Sequence, residues 1–231
     1  MTPEELIARL IHRDASALIL DKPAGLPVHR GPKGGETLTD HLDALRFGLK
    51  WRPELAHRLD RETSGCLALG RHPRALRELN DLFRSGSARK LYWAVVEGSP
   101  QGEEGLIDLP LARKSPERGW WMKHDTEGLP AQTRWRVLGR DEETAGTRLT
   151  WLELEPLTGR THQLRVHCAA LGFPILGDAI YGSADRRGGP MLHLHARSLE
   201  LPLNLKKPPI VAAANAPAHM GGALKRCGWK C

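Results

Sequence analysis

The chain has 231 residues, 40% of them hydrophobic and 26% charged, the composition of a folded domain and not of a disordered or collagenous polymer. No apolar run approaches the roughly 18 residues that a membrane span needs, and the four cysteines (Cys66, Cys168, Cys227, Cys231) form no CxxC pair, which predicts a reduced, cytoplasmic protein rather than a disulfide scaffold. Lys and Arg outnumber Asp and Glu by 34 to 27, a net charge of +7 that fits plain solubility and fits equally a polyanionic partner such as nucleic acid.

The first residues, Met1-Thr-Pro-Glu-Glu-Leu-Ile7, carry acid where a secretory signal carries base, so export is not expected. A short amphipathic helix is predicted from Glu4 to Ile11, followed by a buried strand at Ala17-Leu-Ile-Leu20. Asp21-Lys-Pro-Ala-Gly-Leu-Pro-Val-His29 must then be a loop, because it holds two prolines and a glycine, and Gly31-Pro-Lys-Gly-Gly35 extends it as a segment expected to move. Thr37-x-x-Asp40 reads as a capping box, and Leu38, Leu42, Leu45 and Leu49 recur at helical spacing, predicting a helix over 38–49 buried on one side. Polar His57-Arg-Leu-Asp-Arg-Glu-Thr-Ser-Gly65 precedes a strand at Cys66-Leu-Ala-Leu69. Pro73 opens a second helix with Leu76, Leu79, Leu82 and Phe83 inward.

Lys90-Leu-Tyr-Trp-Ala-Val-Val96 has apolar groups on both faces and is expected in the middle of a sheet. Residues 101–147 read as hairpins, among them Trp120-Trp-Met122 and Thr133-Arg-Trp-Arg-Val137. In 148–155, Thr150, Leu152 and Leu154 share a face. Thr158-Gly-Arg-Thr161 is a turn with a ready N-cap, a helix follows from His162 to Leu171, and Gly172 and Pro174 stop it. A last strand, Met191 to Leu201, precedes a tail at 204–231 that is Lys-, Pro- and Ala-rich, without a clear strand pattern and expected to fray. With no repeat and no linker, the expectation is one α+β domain over 1–231, with its core at about 17–203 and a mixed, mainly antiparallel sheet flanked by helices.

Two constellations can carry chemistry. In the first, Asp60 stands between Arg58 and Arg61 just before a buried strand. By composition alone this is a polar turn with weak surface ion pairs; the functional reading is a carboxylate kept ionised by guanidinium groups and available as a nucleophile. In the second, His162 and Arg165 lie three residues apart at a helix start and share a face, so a carboxylate brought there meets a cation and the positive end of the helix. The plainer reading is an exposed basic helix end. A metal site at His162 and His167 fails because five helical residues turn by about 140°, and His193 with His195 lacks a third ligand.

These residues match a family. His57-Arg-Leu-Asp-Arg-Glu-Thr-Ser-Gly65 resembles the HRLDxxTSG signature of RluA-type RNA pseudouridine synthases. Lys22-Pro-Ala-Gly-Leu-Pro-Val-His29, Lys90-Leu-Tyr-Trp-Ala-Val-Val-Glu-Gly98, Leu157-Thr-Gly-Arg-Thr-His-Gln-Leu-Arg-Val-His167 and Gly177-Asp-Ala-Ile-Tyr-Gly182 resemble four further family segments in the same order, over about residues 17–203. The resemblance implies a pseudouridine-synthase fold with a central RNA-binding cleft. It implies Asp60 as the catalytic aspartate, Tyr92 as the tyrosine that packs on the uracil and acts as base late in the reaction, and Arg165 as the basic residue paired with the aspartate. Arg58 matches an arginine that fills the gap left by a flipped nucleotide, Leu164 an aliphatic position near the base, and His57, Arg61 and Lys90 are expected to contact RNA. Taken alone, a Tyr in a strand reads first as an ordinary core aromatic, and Leu164 is compatible with plain packing.

The implied chemistry breaks the N1–C1′ bond of a uridine, turns the base and joins C5 to C1′, so it calls for no metal, nucleotide or redox cofactor. The reacting base is unreachable in a stack and must be flipped out, with Arg58 and basic loops at 22–34 and 84–90 holding the backbone. Asp60 attacking C1′ and Asp60 promoting a glycal remain alternatives here. No S4 RNA-binding domain is expected before residue 17, so the short form resembles members acting on stem-loops of tRNA, of 23S rRNA, or of both. A monomer without protein or membrane partners is expected. Other classes stay open at this stage: a non-catalytic RNA-binding module, a nucleoside hydrolase and a metal-dependent hydrolase.

Overall fold

The computed structural model describes all residues except 32–33, 116–120, 142–146, 205 and 231, so Trp120, part of the Gly31–Gly35 loop and Cys231 lie outside the described residues. The chain divides into two compact units, Met1–Lys90 with Ala196–Asn215, and Leu91–His195 with Ala216–Cys231.

The first unit starts with helix α1 (Pro3–Ile7) and strand β1 (Leu10–Arg13). The helix predicted to reach Ile11 therefore stops early. Leu10 and His12 pair with Leu20 and Ile19 of β2 (Ala17–Lys22), and tertiary pairing overrides a weak helical preference. The Thr37 capping box forms, with Thr37 N–H donating to Asp40 Oδ2 at 3.0 Å. It opens a 3-10 helix at Leu38–Leu45, not the longer α-helix that the leucine spacing predicts. Phe47 and Gly48 both take positive φ, 47° and 79°, and end the helix there.

Strands β3 (Glu54–Leu55) and β4 (Ser64–Gly70) follow, then α2 (Pro73–Ser85), capped by His72 at its start and by left-handed Gly86 at its end. Strands β2 and β4 pair antiparallel from Ala17↔Gly70 to Lys22↔Gly65 and are buried on both faces, as their unbroken apolar runs predict. On one face Ile19, Cys66, Ala68 and Leu79 form a core with Leu199, Leu201 and Ala212.

The chain enters the second unit within β5 (Arg89–Glu97). Strands β6 (Glu104–Asp108), β7 (Leu111–Arg113), β8 (Met122–His124), β9 (Gln132–Arg140) and β10 (Leu149–Pro156) come next, then helix α3 (Gln163–Ala170). Strand β10 pairs antiparallel with both β5 and β9, and β9 with β6; β7 and β8 form a separate hairpin. Strand β11 (Leu194–Leu201) returns the chain to the first unit, where β12 (Ile210–Ala213) pairs antiparallel with it.

Helix α4 (Ala218–Arg226) ends the second unit. The tail thus corrects the expectation of a frayed terminus. Met220, Leu224 and Cys227 are buried against Val95 and Trp151. The approach is tight: a Cβ on Gly139 would stand 1.9 Å from the Cys227 carbonyl oxygen. We expect Gly139→Ala to cost about 3 kcal/mol by overpacking. Exposed Gly222 in α4 meets nothing within 4 Å, and Gly222→Ala should add about 0.5–1 kcal/mol. Thermal melts of the two variants should move in opposite directions.

Candidate active site

Asp60 lies in the loop between β3 and β4, half-buried, with buried Leu59 before it and buried Thr63 and Ser64 after it. These neighbours anchor the turn at both ends, and Thr63 N–H donates to the Asp60 carbonyl at 3.2 Å. A second loop grips it from outside. Gly25 N–H donates to the Arg61 carbonyl at 2.9 Å and Arg61 Nε to the Gly25 carbonyl at 3.0 Å. The left-handed φ of Gly25, 87°, is the backbone state that glycine adopts without strain.

Lys22 completes the clamp. Its Nζ donates to the carbonyls of Pro23, Leu26 and Arg61 at 2.7, 2.9 and 3.0 Å. The side chain is fully buried, which corrects the expectation that it belongs to a basic loop facing RNA. Burial brings its ammonium down to about 8, while Glu62, Asp60 and Asp21 pull it upward. Arg58 and Arg61 are exposed on either side of Asp60. Arg61 also lies 3.3 Å from Glu62.

His57 is held from below by the strand that follows it. Its Nε2 accepts from Ala68 N–H at 3.0 Å, and its ring lies 4.3 Å from that of Phe83. An accepting nitrogen requires the neutral ring, and burial, helped by Lys90, lowers its pKa to about 3. Lys90 itself is half-buried and shifted down by burial.

In the second unit, Tyr92 is buried on β5 directly opposite Leu154 of β10, which stands opposite Trp135 of β9. Directly paired residues share a face, as do residues two apart, so Thr133 lies on the Tyr92 face too. Gln163 Nε2 donates to Thr133 Oγ1 at 3.0 Å, and His167 Nδ1 lies 2.9 Å from the same oxygen. Helix α3, with buried Leu164 and Arg165, is therefore fastened to the sheet face that carries Tyr92. Gln163 Oε1 also accepts from Arg160 N–H and Thr158 Oγ1 at 3.0 and 2.7 Å. The expected N-cap in Thr158–Thr161 is replaced by His162 in left-handed backbone, φ 53°.

Arg165 is buried and pairs with Asp178, Nε and Nη2 donating to Oδ2 and Oδ1 at 2.8 and 2.7 Å. Asp178 Oδ1 also accepts from the amides of Ile180 and Tyr181. Burial pushes the Asp178 carboxyl up, but Arg165 and the two amides outweigh it and hold the group below its ordinary range. The Tyr181 hydroxyl accepts from Met122 N–H at 2.9 Å and lies 2.8 Å from His162 Nδ1, and the Arg165 guanidinium lies 5.3 Å from the Tyr181 ring centre. Sequence reasoning assigned no role to Lys22 as a clamp, Gln163, Asp178 or Tyr181. Each lies in a segment quoted for the resemblance, and that was the available signal.

The family model described as RNA pseudouridylate synthase matches residues 16–170. The chain belongs to the RluA-type family of RNA pseudouridine synthases. It is 46% identical over 214 residues to an uncharacterized RNA pseudouridine synthase of Zymomonas mobilis, covering 92% of this chain and 95% of that one. It is 37% identical over 203 residues to the dual-specificity RNA pseudouridine synthase RluA of Escherichia coli, covering 86% and 89%. The solved structure of human RNA pseudouridylate synthase domain containing 4 superposes with a TM-score of 0.79 at 29% identity, covering 97% of this chain and 95% of that one. Membership makes the protein an isomerase that converts uridine to pseudouridine in RNA, on the α+β, mostly antiparallel fold described above.

Two outcomes follow for this pseudouridine synthase. Asp178→Asn takes the charge from a buried ion pair, and should lower stability by about 3 kcal/mol together with pseudouridine formation, read by urea denaturation and by single-turnover assay. The His57 shift sets an acid limit. Below pH 6.5 the unfolded chain takes up a proton that the folded ring refuses down to about 3, so stability present above pH 6.5 is lost as the pH falls toward 3. The urea midpoint should fall between pH 7 and pH 5, with a shallower slope in His57→Gln.

Proposed function

We propose that this RNA pseudouridine synthase modifies a uridine in a stem-loop of tRNA, of 23S rRNA, or of both, acting as a cytoplasmic monomer. The observation that carries the catalytic assignment is the clamped turn at Asp60. A carboxylate is held at a fixed height by Leu59, Thr63 and the Lys22 cage, with exposed Arg58 and Arg61 beside it. Rigid placement is what a group needs when it must break one particular bond.

In this reading the target uridine leaves its stack, and Arg58 and Arg61 hold the distorted backbone by its phosphates. Asp60 promotes cleavage of the N1–C1′ bond, and the family resemblance gives Arg165 the role of a charge-pairing residue. The freed uracil turns, C5 bonds to C1′, and the proton on C5 leaves to Tyr92 while N1 regains one, so no atom is gained or lost overall. Leu164, buried at the start of α3, excludes water from the flipped base, with Lys90 as a further RNA contact. Exclusion matters because water at C1′ would turn the isomerase into a hydrolase. A cytoplasmic site agrees with the free, buried thiols of Cys66, Cys168 and Cys227, whose pKa values burial raises to between about 11 and about 12. The dual specificity in the name of the Escherichia coli relative supports looking in both RNA classes.

The test maps pseudouridines in tRNA and 23S rRNA from cells with and without the gene, complemented by wild type or Asp60→Asn. At least one site should vanish on deletion and return only with wild type, and purified Asp60→Asn should lose at least about a thousandfold in rate with its melting temperature kept. Full activity in Asp60→Asn, or release of free uracil by the wild type, would overturn the assignment.

A further inference from the structure

Away from the Asp60 turn, the first unit carries a second cluster with nucleic-acid chemistry. Arg46-Phe-Gly-Leu-Lys-Trp-Arg52 joins the 3-10 helix to β3 and holds three cations and two aromatic rings in seven residues. The loop is built rather than loose. Phe47, in left-handed backbone, lies under the Arg13 guanidinium of β1 at 4.0 Å. Leu49 N–H donates to the Arg46 carbonyl at 3.0 Å, and Arg46 Nη1 donates to the Lys50 carbonyl. These bonds present Trp51 about half exposed, with Lys50 Nζ 5.3 Å from its ring centre.

Beside Trp51 is a recess of about 230 Å³ lined by Arg46, Lys50, Trp51, Arg52, Glu54 and His72. Its base is firm: Gly70 packs so closely on α2 that a Cβ there would stand 2.6 Å from Leu76 Cα. Asp43 neutralises part of the charge, pairing with Arg46 at 2.6 Å and standing 3.9 Å from Arg52. Lys50 and Arg13 add to the positive side.

We propose that this recess is a second RNA subsite, in which one unpaired base stacks on Trp51 while Lys50 and Arg52 meet its flanking phosphates. An exposed indole with Lys50 at its ring, in a recess whose three cations outnumber the carboxylate of Glu54, matches the stacking platform that single-stranded nucleic acid uses, and the recess has room for one base. The subsite is remote from the chemistry. Strand β4 runs from Ser64, just after the Asp60 turn, to Gly70 at the recess, about 20 Å at the usual rise per residue. Its occupant is therefore a nucleotide several positions from the reacting uridine, and the contact serves selection of the RNA rather than catalysis. The proposal rests on the protein's action on RNA.

The test measures binding of a fluorescein-labelled 12-nucleotide oligo(U) to the full chain by anisotropy, with thermal melts alongside. Trp51→Ala should weaken binding about tenfold, Trp51→Phe should keep most of it, and Lys50→Gln with Arg52→Gln should lower the slope of log affinity against log salt by about 1.4. Should Trp51→Ala fail to fold, the paired glutamine variant decides by its salt slope alone. Wild-type affinity in Trp51→Ala overturns the proposal, as does displacement of oligo(U) by poly-glutamate with the same dependence on Trp51, which would mark a general anion patch. Pseudouridine formation titrated against cellular tRNA and rRNA in parallel should show KM rising in Trp51→Ala with kcat kept. Absence of that activity in the wild type would remove the active-site reading and leave the binding result standing.

Discussion

A buried ammonium must find acceptors, and the geometry of the Asp60 turn depends on how Lys22 finds them. Moving such a charge out of water costs several kcal/mol unless it is hydrogen-bonded. Three carbonyls meet its three N–H bonds, one of them from Arg61, 39 residues away. The loop after β2 and the turn before β4 are therefore held as one object. Neutral Lys22 has only two N–H bonds for the three carbonyls, so one acceptor loses its donor. With the group lowered to about 8, the clamp is complete on the acid side of that value and weakens above it.

The second unit solves a related problem with different chemistry. Arg165 is buried beside Asp178 through a two-pronged contact, which fixes the direction of the guanidinium as well as its charge. An ammonium in that place would keep the charge and lose the direction. Asp178 is itself held by two backbone amides, and Tyr181 ties the same turn to His162, the left-handed residue at the start of α3. A non-glycine residue in that backbone state costs about 1–2 kcal/mol, which persists because the surrounding bonds over-determine it. Lysine grips loops through a cluster of carbonyls, and arginine aims along a line; each residue suits its unit.

Legibility in the sequence followed how local the governing force was. The Thr37 capping box, the Pro73 start of α2, the buried runs of β2 and β4 and the Gly172 stop are set by neighbours along the chain, and the residues announce them. The early end of α1 was hidden because pairing of Leu10 and His12 with β2 decides it. Gly48, at positive φ, stops the helix before Leu49 despite the leucine spacing. At the site, Asp60, Tyr92 and Arg165 stood out through motif resemblance, whereas their supports did not. A Lys caged by carbonyls and an Asp thirteen residues beyond its Arg leave no periodic mark, nor does the bond from Ala68 N–H to the His57 ring.

The tail shows the reverse case, a local signal masked by its surroundings. Met220, Leu224 and Cys227 stand at spacings of four and three, the stripe of a helix buried on one side, but the surrounding Ala and Lys mask it. Its place matters for the chemistry. Val95 packs with these residues, and Val95 and Tyr92 point to opposite faces of β5 because successive side chains alternate. Helix α4 thus backs the strand whose other face carries Tyr92. Gly139 admits the Cys227 carbonyl to this layer, where a single added carbon would not fit. A residue at the far end of the chain and a glycine in β9 therefore help decide how firmly Tyr92 is held, through packing alone and without touching any reacting group.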